Sequence, residues 1–64
     1  MTYDKIEFHI PDELWSDELD AITNQCDDCI NPMAEEYVAY GATEKMVEDL
    51  IENGIAVYHN GELL

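Results

Sequence analysis

A chain of 64 residues forms one domain or none, since a fold of this size buries only ~60% of the surface its unfolded chain exposes. Sixteen Asp and Glu stand against Lys5 and Lys45, with no Arg, for a formal net charge of −14 at pH 7. That balance argues against direct binding to nucleic acid or anionic membrane, both of which need Lys and Arg to neutralise phosphate, while a composition 47% hydrophobic and clearly periodic argues against a disordered acidic tail.

The opening residues, MTYDKIEFHI, hold no basic segment followed by an apolar run, and nowhere do about eighteen apolar residues follow one another. Neither a secretion signal nor a membrane span is expected, and the chain reads as cytoplasmic. In KIEFHI, Ile6, Phe8 and Ile10 alternate with Lys5, Glu7 and His9, the period of a strand with one buried face. Pro11 ends it. From Trp15 the apolar positions are Leu19, Ile22, Cys26, Cys29 and Ile30, a spacing that predicts a helix over this stretch.

Asn31-Pro32 then reads as an N-cap and first helical residue, predicting a short helix from Pro32 to about Tyr40 that stops at Gly41. Thr43 caps a third helix with Met46, Val47, Leu50 and Ile51 as its inner face, and Asn53-Gly54 closes it. Ile55 to His59 is rich in β formers, and Asn60-Gly61 is the pair most favoured in a two-residue type I′ hairpin, with Glu62 to Leu64 returning. The expected fold is a single α+β domain over residues 1–64, in the order β-α-α-α-β-β. A two- or three-stranded antiparallel or mixed sheet carries its helices on one face.

On the predicted first helix the inward stripe leaves Asp12, Glu13, Asp17, Glu18, Asp20, Asp27 and Asp28 on the entry turn and the solvent side. Helical rise over about seventeen residues gives ~25 Å, hence roughly one charge per 3.6 Å, close to the ~3.4 Å spacing along one DNA strand. The third helix repeats the theme with Glu44, Glu48 and Glu52 four residues apart and Asp49 beside them, while Glu35 and Glu36 extend the acidic set between the two. Like charges at that spacing repel, and one Lys45–Asp49 pair does little to offset it.

Two ordinary explanations compete. Charge runs are often solvated faces that keep a domain soluble, but solubility needs a net charge of only about 2–8 in a small domain. Salt adaptation fits poorly with six Ile, two Cys and Glu outnumbering Asp nine to seven. The remaining reading is mimicry, with carboxylates standing in for phosphates in the groove of a nucleic-acid-binding protein.

In size and charge, along its whole length, the chain resembles the small acidic phage-encoded DNA-mimic inhibitors of the anti-CRISPR and anti-restriction type. The resemblance implies a non-enzymatic inhibitor acting in the cytoplasm of a bacterial host. Its expected partner is a basic nucleic-acid-binding protein, first a CRISPR surveillance complex subunit lining the target-DNA channel. The rival reading is a host immunity protein or antitoxin that neutralises a basic nuclease or toxin. The partner-binding residues are the thirteen carboxylates named above, and the inhibitor is expected to be a monomer.

Other constellations rank lower. Cys26 and Cys29 have the C-x-x-C form and, with His9 and His59, supply four zinc-ligand types, but they continue the apolar stripe and read first as small core residues. No cofactor is expected. The carboxylates look exposed, and no Ser or Cys is arranged as a nucleophile, so no catalytic residue is assigned. Tyr37 and Tyr40 are equally readable as interface anchors and as core contacts.

Overall fold

The fold is that of a computed structural model, which describes residues 2–64. Strand β1 (Thr2–His9) is the centre of a five-stranded antiparallel sheet in the order β2-β3-β1-β4-β5, with β2 at Asp28–Met33, β3 at Glu36–Thr43, β4 at Val57–His59 and β5 at Glu62–Leu63. Two helices, α1 (Asp17–Thr23) and α2 (Glu44–Glu52), cover one face, and a 3-10 turn at Asp12–Leu14 leads into α1. The expected order with three helices and a two- or three-stranded sheet is overturned: the molecule has five strands, all antiparallel, and two α-helices.

The alternation in KIEFHI does what period two requires. Ile6, Phe8 and Ile10 are buried, and Lys5, Glu7 and His9 are exposed on the opposite side. Leu19 and Ile22 from α1, Met46, Val47 and Leu50 from α2, and Ala39, Ala42, Ile55 and Val57 complete one core between the helices and that sheet face. Trp15 closes its edge: the indole Nε1 donates to the Tyr37 hydroxyl at 3.1 Å, and the Tyr37 ring stacks on Phe8 at 5.6 Å.

The predicted first helix reaches Ile30; α1 stops at Thr23 because its next backbone groups bond elsewhere. Ser16 caps the start, its Oγ accepting from the Leu19 N–H at 3.2 Å. After Asn24 the chain turns away: Gln25 C=O accepts from the Thr43 N–H at 3.2 Å, and the Asp27 N–H donates to Tyr40 C=O at 2.9 Å. Cross-strand bonds to β3 thus replace helical ones.

The predicted second helix is absent as well. Residues 32–40 belong to the β2–β3 hairpin, with Asp28, Cys29 and Ile30 opposite Tyr40, Ala39 and Val38. Pro32 lies in edge strand β2, where a missing N–H breaks no ladder, beside a register shift between Ile30 and Met33. Asn31 Nδ2 bridges that irregularity by donating to the carbonyls of Met33 and Glu36, both at 2.6 Å.

The C-terminal half follows its local signals. Thr43 Oγ1 accepts from the Met46 N–H at 3.1 Å and starts α2 directly from β3. At the other end Ile55 N–H returns to Leu50 C=O and Gly54 N–H to Ile51 C=O, both at 3.0 Å, with Gly54 at φ +79. This is the Schellman pattern, and the buried pair Leu50–Ile55 is its hydrophobic contact. Asn60 and Gly61, at φ 53 and 82, make the β4–β5 turn, where His59 pairs with Glu62. Thr43→Ala removes the α2 cap and should cost about 1 kcal/mol, read as a lower urea midpoint, whereas Thr43→Ser should keep most of it.

Candidate functional site

The sixteen carboxylates fall in two sets, nine on the helical layer and seven on the strands and their connections. Asp12 and Glu13 lie in the 3-10 turn, Asp17, Glu18 and Asp20 on α1, and Glu44, Glu48, Asp49 and Glu52 on α2. Nine of the sixteen acids thus belong to the helical layer, whose own base is Lys45. That lysine is already committed, with Nζ 3.2 and 3.1 Å from the two Asp49 carboxylate oxygens. Among the described residues, no basic group lies within salt-bridge distance of Asp17, Glu18, Asp20, Glu44, Glu48 or Glu52.

Between the helices lies a groove of about 190 Å³, lined by Glu18 and Ile22 of α1, Asp49 and Glu52 of α2, and Asn53. Three carboxylates and the Asn53 amide surround one apolar side chain, Ile22. Such a shape accepts the aliphatic stem of a Lys or Arg and surrounds its charged end with acceptors. Gln25 fixes one wall, its Nε2 donating to Asp49 at 3.1 Å. That bond, and then Lys45, hold the Asp49 carboxyl below its ordinary range. Because the folded-state value is depressed, the associated stability is present above the ordinary Asp range and is lost as pH falls through the depressed value.

The sequence expectation needs one correction here. Only Asp17, Glu18 and Asp20 are on α1, a helix of 7 residues. At ~1.5 Å per residue it is about 10 Å long, so the ladder spaced like DNA phosphates over ~25 Å does not exist. The acids form a patch across two helices instead.

The other predicted site residues are elsewhere. Asp27 packs against Gly41 in the α1–β2 connection. Asp28 is exposed at the start of β2, opposite Tyr40. Glu35 in the β2–β3 turn and Glu36 at the start of β3 both lie beside His9, at 3.9 and 3.7 Å. Glu35 Oε2 also accepts from the Asp12 N–H at 2.9 Å, which ties that turn to the 3-10 segment. Of the other groove residues, the sequence marks Ile22 only as a core position and Asn53 only as a helix stop, because a wall shared by two helices appears only once their packing is known.

The cysteines do not share one buried stripe. Cys26 is half-buried against the core, its Sγ donating to Thr23 C=O at 3.3 Å, and Cys29 is exposed on β2; both are free thiols. Burial pushes both thiols up. Asp28 and Asp27 add to the rise at Cys26, and Cys26 and Asp28 add to it at Cys29, so neither is an activated nucleophile. Among the described residues no three His, Cys, Asp or Glu side chains come together as a metal site. His59 instead meets the Tyr3 ring edge-on at 5.1 Å. Tyr37 is a core-edge residue, whereas Tyr40 is exposed on the other sheet face. No helix among the described residues is long and apolar enough to cross a membrane. No protein-family model matches this chain, and neither does any curated protein or any solved structure.

Proposed function

We propose that the protein is a non-enzymatic, phage-encoded inhibitor that acts in the cytoplasm of the bacterial host. Its acidic helical layer occupies a basic nucleic-acid channel, that of a CRISPR surveillance complex being the first to test. One observation carries the reading: a carboxylate patch across α1 and α2 with a groove at its centre, whose only lysine is spent on Asp49. A cationic channel gains from such a surface twice, through long-range attraction that speeds encounter and through Lys or Arg side chains seated between Glu18 and Glu52. Mimicry here is of a charged surface, not of a phosphate backbone with fixed spacing.

The arrangement is also costly to the protein. Glu48 sits four residues from both Glu44 and Glu52, so α2 tolerates two like-charge contacts on its exposed side. A surface selected for hydration alone has no need to concentrate them there.

The test is target-DNA binding by a purified surveillance complex in the presence of the wild-type protein or the triple variant Glu18→Gln, Glu48→Gln, Glu52→Gln. The wild type should abolish DNA binding, less effectively as salt rises. The triple variant should melt at a higher temperature than wild type yet need at least about tenfold more protein for half-inhibition, since close charge pairs at interfaces couple by ~1.5 kcal/mol or more. DNA binding that persists at saturating wild-type protein would refute the target, and equal inhibition by the triple variant would refute the surface.

A further inference from the structure

An asparagine followed by glycine carries a reaction of its own. The backbone nitrogen of the next residue attacks the side-chain amide carbon, and glycine, having no Cβ, shields that nitrogen least. Two such pairs occur in this chain, Asn53-Gly54 and Asn60-Gly61. Asn31 precedes Pro32, which has no N–H to give up, and Asn24 precedes the bulkier Gln25, whose N–H is bonded to Ile22 C=O at 3.2 Å.

The fold treats the two Asn-Gly pairs differently. Asn53 closes α2, where its Nδ2 donates to Asp49 C=O at 2.8 Å and the Gly54 N–H donates to Ile51 C=O at 3.0 Å. Both reacting groups are held, and the buried Leu50–Ile55 contact ties that turn to the core. Asn60 and Gly61 are exposed at the tip of the β4–β5 hairpin, on the outer edge of the sheet. Among the described residues no hydrogen bond holds the Asn60 amide or the Gly61 N–H. With strands of 3 and 2 residues, this hairpin opens at lower cost than the elements around the core.

We infer that Asn60 is a site of spontaneous succinimide formation, and that Asn53 is a protected copy of the same motif. The Gly61 nitrogen bonds to Asn60 Cγ and gives up its proton, the Cγ–Nδ2 bond breaks, and ammonia leaves. Water then opens the ring. Breaking the new bond to Cγ gives aspartate with the ordinary main chain; breaking the bond to the main-chain carbonyl gives isoaspartate, with the chain running through Cβ. One water is consumed for each ammonia released, and nothing is oxidised or reduced.

The product matters to the fold at this position. A two-residue turn with Asn60 at φ 53 and Gly61 at φ 82 sets the register of the strands it joins. Isoaspartate lengthens the backbone there by one carbon, and either product adds a negative charge to a chain already at −14. The His59–Glu62 pair and the Leu64 N–H bond to Val57 C=O at 2.9 Å both depend on that register. The iso form therefore releases β5, while α2 keeps its seat through Met46, Val47 and Leu50.

The test is to hold the full chain in mildly alkaline buffer, sample it over days, and assign the mass gain of each amide-to-acid exchange to residue 53 or 60 by fragmentation. In the native protein Asn60 should convert at least about tenfold faster than Asn53, the factor that a difference of about 1.4 kcal/mol in local opening produces. In urea the two should convert at similar rates. Asn60→Gly, which suits a positive φ, should abolish the fast conversion. Hydrogen exchange at the Leu64 amide should quicken as the iso form accumulates, with the α2 amides unchanged. Equal rates in the native protein, or a faster Asn53, overturn the inference. So does an Asn60 that stays intact while the urea-unfolded chain converts, a difference that persists in urea, fast conversion surviving in Asn60→Gly, or a Leu64 amide as protected in the iso form as before.

Discussion

Phe8→Ala should leave the chain largely unfolded at room temperature. Phe8 is 1% exposed near the C-terminal end of β1, and its ring carries Tyr37, whose hydroxyl in turn accepts from Trp15. Truncating a buried Phe costs about 3–5 kcal/mol through lost transfer energy and an unfilled cavity. The stability available to a chain of this length is about 0.05–0.15 kcal/mol per residue, or roughly 3–10 kcal/mol, and self-repulsion among the carboxylates holds it toward the low end. The loss therefore rivals the whole. Urea titration followed by far-UV circular dichroism should show little native baseline for Phe8→Ala, and a recognisable transition for Phe8→Leu, whose cost stays below about 1.5 kcal/mol if the neighbours repack. A Phe8→Ala midpoint close to wild type would mean that Phe8, Tyr37 and Trp15 do not form one closed unit.

The parts of this fold that were legible in the sequence are those whose signal is local. Ile6, Phe8 and Ile10 alternate with charged residues because one face of β1 is apolar and the other is not. Thr43 and Asn53-Gly54 mark both ends of α2 through backbone bonds made within a few residues, and Asn60-Gly61 suits only a turn with two positive φ values. The misread stretch, residues 24–43, lacks such a signal for a physical reason. In β3, Tyr37 and Ala39 face the core while Val38 and Tyr40 face outward, so both faces are apolar and no alternation appears. Asn31-Pro32 is a sound helix start in isolation, and the edge of a sheet tolerates the same proline equally well. Cys26, Cys29 and Ile30 fall at helical spacing by coincidence; what takes them out of α1 are the bonds of Gln25 and Asp27 to Thr43 and Tyr40, made across the fold. The Tyr and Val enrichment of EYVAYGAT was the one available pointer to a strand. For the site, the acidic excess was plain, but the groove required knowing that Glu18 and Glu52 face each other.

Gly41→Val is expected to be the second severe substitution, and its cost comes from two separable causes. Gly41 has φ +64, where it interrupts the alternation of β3 so that Ala39 and Ala42, three residues apart, are both fully buried. A β-branched residue is strained there by about 1–2 kcal/mol or more, and any Cβ would also collide with the Asp27 carboxylate packed over the glycine. Together these should lower stability by more than ~2 kcal/mol in a urea titration. Gly41→Ala with Asp27→Ala should recover the collision and leave only the strain, so the double variant should be more stable than the sum of the two single changes predicts. Additive behaviour would mean that Asp27 does not rest on Gly41.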